Sequence, residues 1–336
     1  MVRMRDVAAR AGVSPGAVSR ILSGDTALRV SAETRERVVT AARELNYIPN
    51  YAAKSLRTSR TRTIALIVPD ITSAVFAELT RGVEEEAASR DLAIVLGRAE
   101  RLDEDRGWLR GLVGEGRIDG AILQPPDGTT PADVEALIVP GTSLVLINSV
   151  SDGPVSTIVL DDGAGIAKAV EHLIALGHTR IGFVGSPVGS ATGIRRQAGF
   201  RAAMHDAGLA VRETWMTDRG YAGEDGREAV RDLLERGPMP SGLVVANLNA
   251  ALGVLAEIHA HGLRVPSDIS IVALHDVWYA DATWPPITTV RMPLRRLGTS
   301  AVTALSNGSG TVSHATIDSP APELILRKST SAPPTR

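Results

Sequence analysis

The side chains best able to do chemistry in this 336-residue chain are cations gathered at one end. Residues 1–60 hold eleven Arg and Lys against five Asp and Glu, a surplus of six, so the remainder carries −8 of an overall charge of −2. A basic segment on an acidic body fits a segment that neutralises phosphates and a body that does not. Covalent and metal chemistry find little support. The chain has no cysteine, which removes disulfides, thiolate metal sites and cysteine nucleophiles together. It has no GxxxxGK[ST] phosphate loop and no HExxH pair, and its seven histidines do not fall at metal-ligand spacings. Neither a cofactor nor a metal is expected.

Those cations need elements to hold them. From Met4, the string MRDVAARAGVSPGAVSRIL places Val7, Ala8 and Ala11 at helical spacing, and Gly12 ends that helix. Ser14 is a good N-cap for a second helix, because its hydroxyl can accept from a free backbone N–H. Pro15 then falls at the first helical position, where a missing donor costs nothing. Val18, Ile21 and Leu22 supply the buried face. A third helix is expected from Ser31, with Val38, Val39, Ala42 and Leu45 closing a small core. Two short helices joined by a tight glycine-containing turn are the helix-turn-helix pattern, which presents the start of the second helix to a DNA major groove. An ordinary αα-hairpin has the same periodicity.

The particular residues separate the two. DVAARAGVSPGAVSRIL, followed by VSAETRERVVTAARELNYIPNYAAKSL, closely resembles the DNA-binding head and hinge of the lactose-repressor family. The resemblance implies that Ser14, Pro15, Gly16, Ser19 and Arg20 face the groove, with Arg29, in a loop longer than in many relatives, as a further contact. Gly16 has no side chain to offer a base edge, so direct reading falls to Ser19, Arg20 and apolar contact from Pro15. It also implies that residues 49–60 form a hinge helix and linker. A helix so short is marginal alone and would order on DNA in a dimer, with Asn50, Ala53 and Arg57 along the minor groove and Leu56 wedged between base pairs. A solvated linker with an incidental leucine is the competing reading.

From Thr63 the pattern changes to apolar runs of strand length alternating with helical stretches: TIALIVP, LAIVLG, GAILQ, SLVLIN, RIGFVG, GLVVAN and ISIVAL. Such runs, bounded by Gly, Pro and Asp, predict parallel sheets covered on both faces. Two blocks of comparable length split near residues 160–162, as two Rossmann-like lobes with a ligand cleft between them would. The expected fold is an all-α helix-turn-helix head plus an α/β two-lobed core. The family resemblance continues here, as a periplasmic-binding-protein-like core, on TIALIVPDITSAVFAELTRGVEEEA, DGAGIAKAVEHLIALGHTRIGFVGS, GLRVPSDISIVALHDV and PPITTVR. It implies a head at 1–48, the hinge at 49–60, and an effector-binding and dimerisation core at 61–329. Lobe one would take 61–161 and 292–319, and lobe two 162–291 and 320–329. The Ser-, Thr- and Pro-rich tail 330–336 reads as disordered and lacks the leucine heptads of a tetramerising coiled coil.

Carried over motif by motif, the effector positions are Asp70, Thr72, Ser73 and Phe76 after the first strand, Asp161 or Asp162 at the crossover, Arg196 in RQAGF, Tyr221, Asn247, and His275 with Asp276. These types suit a polar small molecule, a sugar or related metabolite. Two departures stand out. The family usually has Asn-Asp where this chain has Asn247-Leu248, and paired acids where it has His275-Asp276. An effector with fewer hydroxyls than a free sugar would suit the change, as would one whose negative charge His275 and Arg196 could meet. A plainer reading packs His275 beside Trp278 or Tyr279. His172 and His178 read as structural.

The implied protein is a cytoplasmic, homodimeric transcription regulator, a repressor, that binds near-palindromic operator DNA with an affinity set by its effector. Its start, MVRMRDVAARAGV, lacks the apolar core and cleavage site of a secretion signal, and no run of eighteen apolar residues exists, so no membrane partner is expected. Two alternatives share the core fold: a solute-binding protein for transport, which would need a signal and no basic head, and a small-molecule enzyme.

Overall fold

The computed structural model describes residues 2–25, 27–48, 60–105, 107–138, 143–187, 189–308 and 312–334. The chain forms two compact units, Met1–Thr61 and Arg62–Arg336.

The first unit is three helices: α1 (Met4–Ala11), α2 (Pro15–Leu22) and α3 (Ala32–Glu44). Gly12 ends α1 in the left-handed region at φ 69°, which lets the chain turn at once into α2. The Ser14 hydroxyl accepts from the Ala17 N–H at 3.2 Å, and Ser31 caps α3 by accepting from Thr34 at 3.1 Å. Val7, Ala8, Ala11, Val18, Ile21, Val38, Ala41 and Ala42 form the core. Val39 is not part of it: it is 39% exposed, and Ala41 holds the buried place instead. The reason is the helical period, since Val38, Ala41, Ala42 and Leu45 share one face and Val39 is turned off it. The expected hinge contacts Asn50, Ala53, Leu56 and Arg57 lie outside the described residues.

The second unit has two six-stranded sheets. Lobe one is built on β1 (Thr63–Val68), β2 (Ala93–Arg98), β3 (Gly120–Leu123), β4 (Ser143–Ile147), β5 (Ser156–Leu160) and, much later in the chain, β11 (His314–Ile317). These pair in the order β2-β1-β3-β4-β5-β11, all parallel. Lobe two contains β6 (Ile181–Val184), β7 (Met216–Thr217), β8 (Gly242–Val245), β9 (Ser270–Leu274), β10 (Thr288–Arg291) and β12 (Glu323–Ile325), in the order β7-β6-β8-β9-β10-β12. Only β12 runs antiparallel there, closing the edge beside β10. The chain passes between lobes three times, after β5, after β10 and after β11.

Helices α4 (Ala77–Ser89), α5 (Arg101–Glu104), α6 (Trp108–Gly114), α7 (Pro131–Leu137), α8 (Asp162–Ala175), α9 (Ala191–Asp206), α10 (Gly223–Glu235), α11 (Leu248–Ala260) and α12 (Leu294–Ser306) connect the strands. Three helix pairs meet backbone to backbone at glycines. A Cβ on Gly82 of α4 would lie 2.1 Å from the Arg295 carbonyl oxygen of α12. One on Gly253 of α11 would lie 1.7 Å from that of Gly223 in α10, and one on Gly199 of α9 2.6 Å from the Gly163 Cα of α8.

The C-terminal tail corrects the sequence reading. Residues 329–334 are not loose: Ser329 is fully buried, its hydroxyl donates to the Ile271 carbonyl at 2.6 Å and accepts from the Thr288 N–H at 2.8 Å. The Ser331 N–H donates to Ser270 Oγ at 3.1 Å, and its carbonyl accepts from His178 Nε2 at 2.9 Å. Thr330 Oγ1 lies 3.0 Å from His172 Nε2. Hydroxyls that read as disorder by composition are here the partners of buried backbone and histidine groups. No helix among the described residues is long and apolar enough to cross a membrane.

Candidate functional site

Two regions gather the residues singled out above. In the first unit, Ser14, Pro15, Gly16 and Arg20 are exposed at and along α2, Ser19 is half-buried beside them, and Arg29 is exposed in the following loop. The capping bond that Ser14 accepts leaves its hydroxyl hydrogen free to donate. α2 thus offers a polar start, an unobstructed Gly16 and one guanidinium on an open face.

In the second unit the relevant geometry lies at the carboxyl ends of the strands, where open α/β sheets bind ligands. Asp162, the first residue of α8, is fully buried between two arginines of α9. Its Oδ1 accepts from Arg196 Nε at 2.8 Å, and its Oδ2 accepts from Arg195 Nε at 3.0 Å and Nη2 at 2.8 Å. Arg196 spends its remaining donors on the Ala246 carbonyl at 2.9 Å and on His275 Nε2 at 3.1 Å, and its guanidinium lies 5.4 Å from the centre of the Tyr221 ring. Burial alone would lower the Arg196 pKa, but the Asp162 charge beside it carries it above the ordinary arginine value.

The Arg196 contact fixes the state of His275. Arginine only donates, so Nε2 must accept, and the proton sits on Nδ1. Burial, and then the Arg196 charge, push the His275 pKa well below its ordinary 6.5, so the ring is neutral. It therefore brings no positive charge to an effector, contrary to one expectation, and the neighbouring Trp278 is 77% exposed rather than packed over it.

The other expected positions divide. Asp276 faces away toward Thr289 at 2.7 Å, Arg291 at 2.8 Å and Arg327 at 2.7 Å. Burial works to raise its pKa, and those three donors more than offset it. Asp161 caps α8 by accepting from Ala164 at 2.9 Å, and Asn247 caps α11 by accepting from Asn249 at 2.6 Å. Leu248 is buried in the apolar core of lobe two. Asp70 accepts from the Thr72 N–H and hydroxyl at 2.8 and 2.6 Å. Thr72, Ser73 and Phe76 line a cavity of about 440 Å³ with Ile71 and Leu96. Tyr221 hydrogen-bonds Thr192 at 2.7 Å.

Sequence reasoning missed several residues. Among the described residues, the buried side-chain polar atoms without a partner are Asn148 Oδ1, Ser186 Oγ, Thr217 Oγ1 and His275 Nδ1. All four sit at or just past the carboxyl ends of β4, β6, β7 and β9. A buried polar group left unpaired costs roughly 1–3 kcal/mol, and each of these atoms sits at the strand end where open α/β sheets bind ligands. Two further contacts join the lobes across that end. Asn249 Nδ2 donates to Ser73 Oγ at 2.8 Å, with the Tyr279 hydroxyl donating to Asn249 Oδ1, and Arg195 Nη2 donates to the Asn148 carbonyl at 3.3 Å.

The neutral His275 has a measurable consequence. Below pH 6.5 the unfolded chain takes up a proton that the buried ring refuses, so stability present above that value is lost as the pH falls. His172 and His178, also lowered by burial, act in the same direction. A slope of up to ~1.4 kcal/mol per pH unit is expected from His275 alone. His275 lies in the left-handed region at φ 72°, which Asn tolerates, so urea unfolding between about pH 7.5 and 5.5 should show a shallower slope for His275→Asn. An unchanged slope would mean that the ring charges freely in the folded state.

Residues 3–50 match the family model described as bacterial regulatory proteins, lacI family, and residues 170–330 match a periplasmic binding protein-like domain. The chain is 31% identical over 345 residues to the HTH-type transcriptional repressor PurR of Haemophilus influenzae (strain PittEE), covering 98% of each. It is 37% identical to the solved structure of a LacI family transcriptional regulator from Mycobacterium smegmatis, at a TM-score of 0.74 over 81% of this chain and 100% of that one. The lac repressor dimer bound to operator and the anti-inducer ONPF is 27% identical, at a TM-score of 0.81, with 98% and 99% covered.

Proposed function

The chain belongs to the lacI family of bacterial regulatory proteins and is a DNA-binding transcription regulator rather than an enzyme, and from that premise we propose that it represses as a homodimer on a near-palindromic operator under the control of a small molecule held between its lobes. The observation that carries the reading is the open face of α2, with Ser14, Pro15, Gly16, Ser19 and Arg20 available on a unit of net positive charge. One such helix contacts only a few base pairs, so two copies reading two half-sites is the economical arrangement.

Self-association has a surface available. The edge strand β2 leaves Val95 45% and Leu96 50% exposed, beside Ile71 at 46%, and a two-fold mate would cover all three. The related lac repressor is a dimer on its operator. The effector position is supported by the four unpartnered polar atoms at the strand ends and by the Asp162, Arg195 and Arg196 cluster, which touches His275 and the Asn148 carbonyl. Because the Nε, Nη1 and Nη2 of Arg196 are all hydrogen-bonded within the protein and His275 is neutral, an uncharged, polar metabolite such as a sugar fits this end, with a hydrogen-bond acceptor opposite the His275 Nδ1–H. Binding that favours one lobe closure over another would alter the spacing of the two hinges, and through them operator affinity.

Selection of binding sites from a random duplex library by the full chain tests this reading. Enrichment of a two-fold-related sequence is expected; enrichment of nothing, or of a single unrepeated half-site, would overturn it. On the selected duplex, Leu56→Ala should weaken binding on the order of tenfold, about 1.4 kcal/mol, without moving the unfolding midpoint of the core. Equal affinity in the variant would remove the wedge role from Leu56.

A further inference from the structure

Arg20 is the one cation of the α2 recognition face, and one of its five N–H donors is already engaged. Its Nε donates to Asp25 Oδ2 at 2.7 Å, while neither Nη is bonded to any described residue. Arg20 is 47% exposed at the side chain and Asp25 31%. Asp25 belongs to the loop that follows α2, and the loop is built to return it to the helix. Gly24 turns the chain at φ 74°, the Asp25 N–H donates to the Arg20 carbonyl at 3.0 Å, and Asp25 Oδ1 accepts from the Ala27 N–H at 2.9 Å. Arg35 of α3 reaches the Asp25 carbonyl at 3.5 Å. The Arg20 hydrogen bond, with that of Ala27, holds the Asp25 carboxyl below its ordinary pKa, so it is charged at neutral pH.

Stability does not account for this pair, since exposed ion pairs add little. Affinity for DNA in general does not either, because a carboxylate beside the groove repels phosphates. What the pair does is select one edge of the guanidinium. With Nε occupied, Arg20 cannot present its side-on Nε and Nη edge, and only the end-on Nη1 and Nη2 fork is left. That fork matches the O6 and N7 acceptors of guanine in the major groove. Fixing the side chain beforehand also removes part of the ordering cost of binding.

We propose that Asp25 is a positioning residue for sequence recognition, holding Arg20 so that its two Nη groups read a guanine at one position of each half-site. The inference rests on α2 being the recognition helix. The test is binding-site selection with the full chain in four forms: unsubstituted, Arg20→Ala, Asp25→Asn, and both together. Asparagine keeps the Oδ1 acceptor for Ala27 and removes the charge that holds Arg20, and unfolding midpoints check that each form folds.

Arg20→Ala should abolish a guanine preference at one symmetry-related position. Asp25→Asn should weaken the same preference roughly tenfold while keeping the others, and the double variant should match Arg20→Ala. Three results would overturn the proposal while leaving the recognition helix intact: an Asp25→Asn profile equal to the unsubstituted one, a uniform change at every position, or an Asp25→Asn effect that persists without Arg20. An Arg20→Ala profile identical to the unsubstituted one would instead overturn the placement of Arg20 in the groove, and the proposal with it.

Discussion

Replacing Asp162 with Asn is expected to cost the core about 3–5 kcal/mol, read as a lower urea midpoint for unfolding of the second unit in the full chain. The size follows from what would be left behind. Arg196 is 5% exposed at its side chain and cannot shed its proton, so with Asn at 162 its charge would touch only neutral groups, the amide oxygen of that Asn, the Ala246 carbonyl, the His275 ring and the Tyr221 face, with the Asp127 carboxylate acting from farther off. Arg195, 24% exposed, can turn part of its guanidinium to water. The exposed pair of Arg201 with Glu213 is the contrast: Glu213→Gln should cost under about 1 kcal/mol. Replacing both Asp162 and Arg196 by apolar residues of similar size should recover much of the loss, because the one charge left without its partner, Arg195, is 24% exposed and can reach water. A cost for Asp162→Asn no larger than that for Glu213→Gln would show that water reaches Arg196 and that the cluster is not a dry one.

The helices of the head were legible because each carries its own punctuation: Gly12 as a stop, Ser14 with Pro15 as a start, Ser31 as a second start. The strands were legible as β-branched runs, and the two-lobed architecture with them. The order of strands was not, because nothing local tells β11 to pair beside β5 or β12 to close beside β10. Those placements are fixed by contacts between distant segments. The tail was misread for a related reason: Ser329, Thr330 and Ser331 are polar by composition, yet they complete hydrogen bonds that begin at Ile271, His172 and His178.

Within the candidate site, motif matching placed Asp162 and Arg196 where they meet. It could not foresee that Asp276 turns to Arg291 and Arg327, nor that Arg196 fixes the His275 tautomer, since both outcomes depend on partners far along the chain. Asn148, Ser186 and Thr217 did carry a signal. Each ends or follows an apolar run at a strand's carboxyl end, where a polar residue is placed for a ligand as readily as for a turn.

The second large effect is expected from a residue with no functional group. Gly199→Ala should destabilise the second unit by about 1–3 kcal/mol, because the added methyl would fall 2.6 Å from the Gly163 Cα and 2.8 Å from its carbonyl oxygen, and backbone atoms cannot swing aside. The only relief is for α9 to move off α8. Gly163 directly follows Asp162, and Gly199 lies one helical turn beyond Arg196, so the same movement stretches the Arg196 to Asp162 bond, now 2.8 Å. Packing and electrostatics are therefore coupled at this point, and Gly199→Ala combined with Asp162→Asn should cost less than the two alone. Gly208→Ala supplies the control: it meets nothing within 4 Å, so its penalty comes from the left-handed backbone at φ 67° and should add to that of Asp162→Asn. Additive costs for the Gly199 pair would mean that the glycine contact serves helix packing alone and that the ion cluster keeps its geometry by other means.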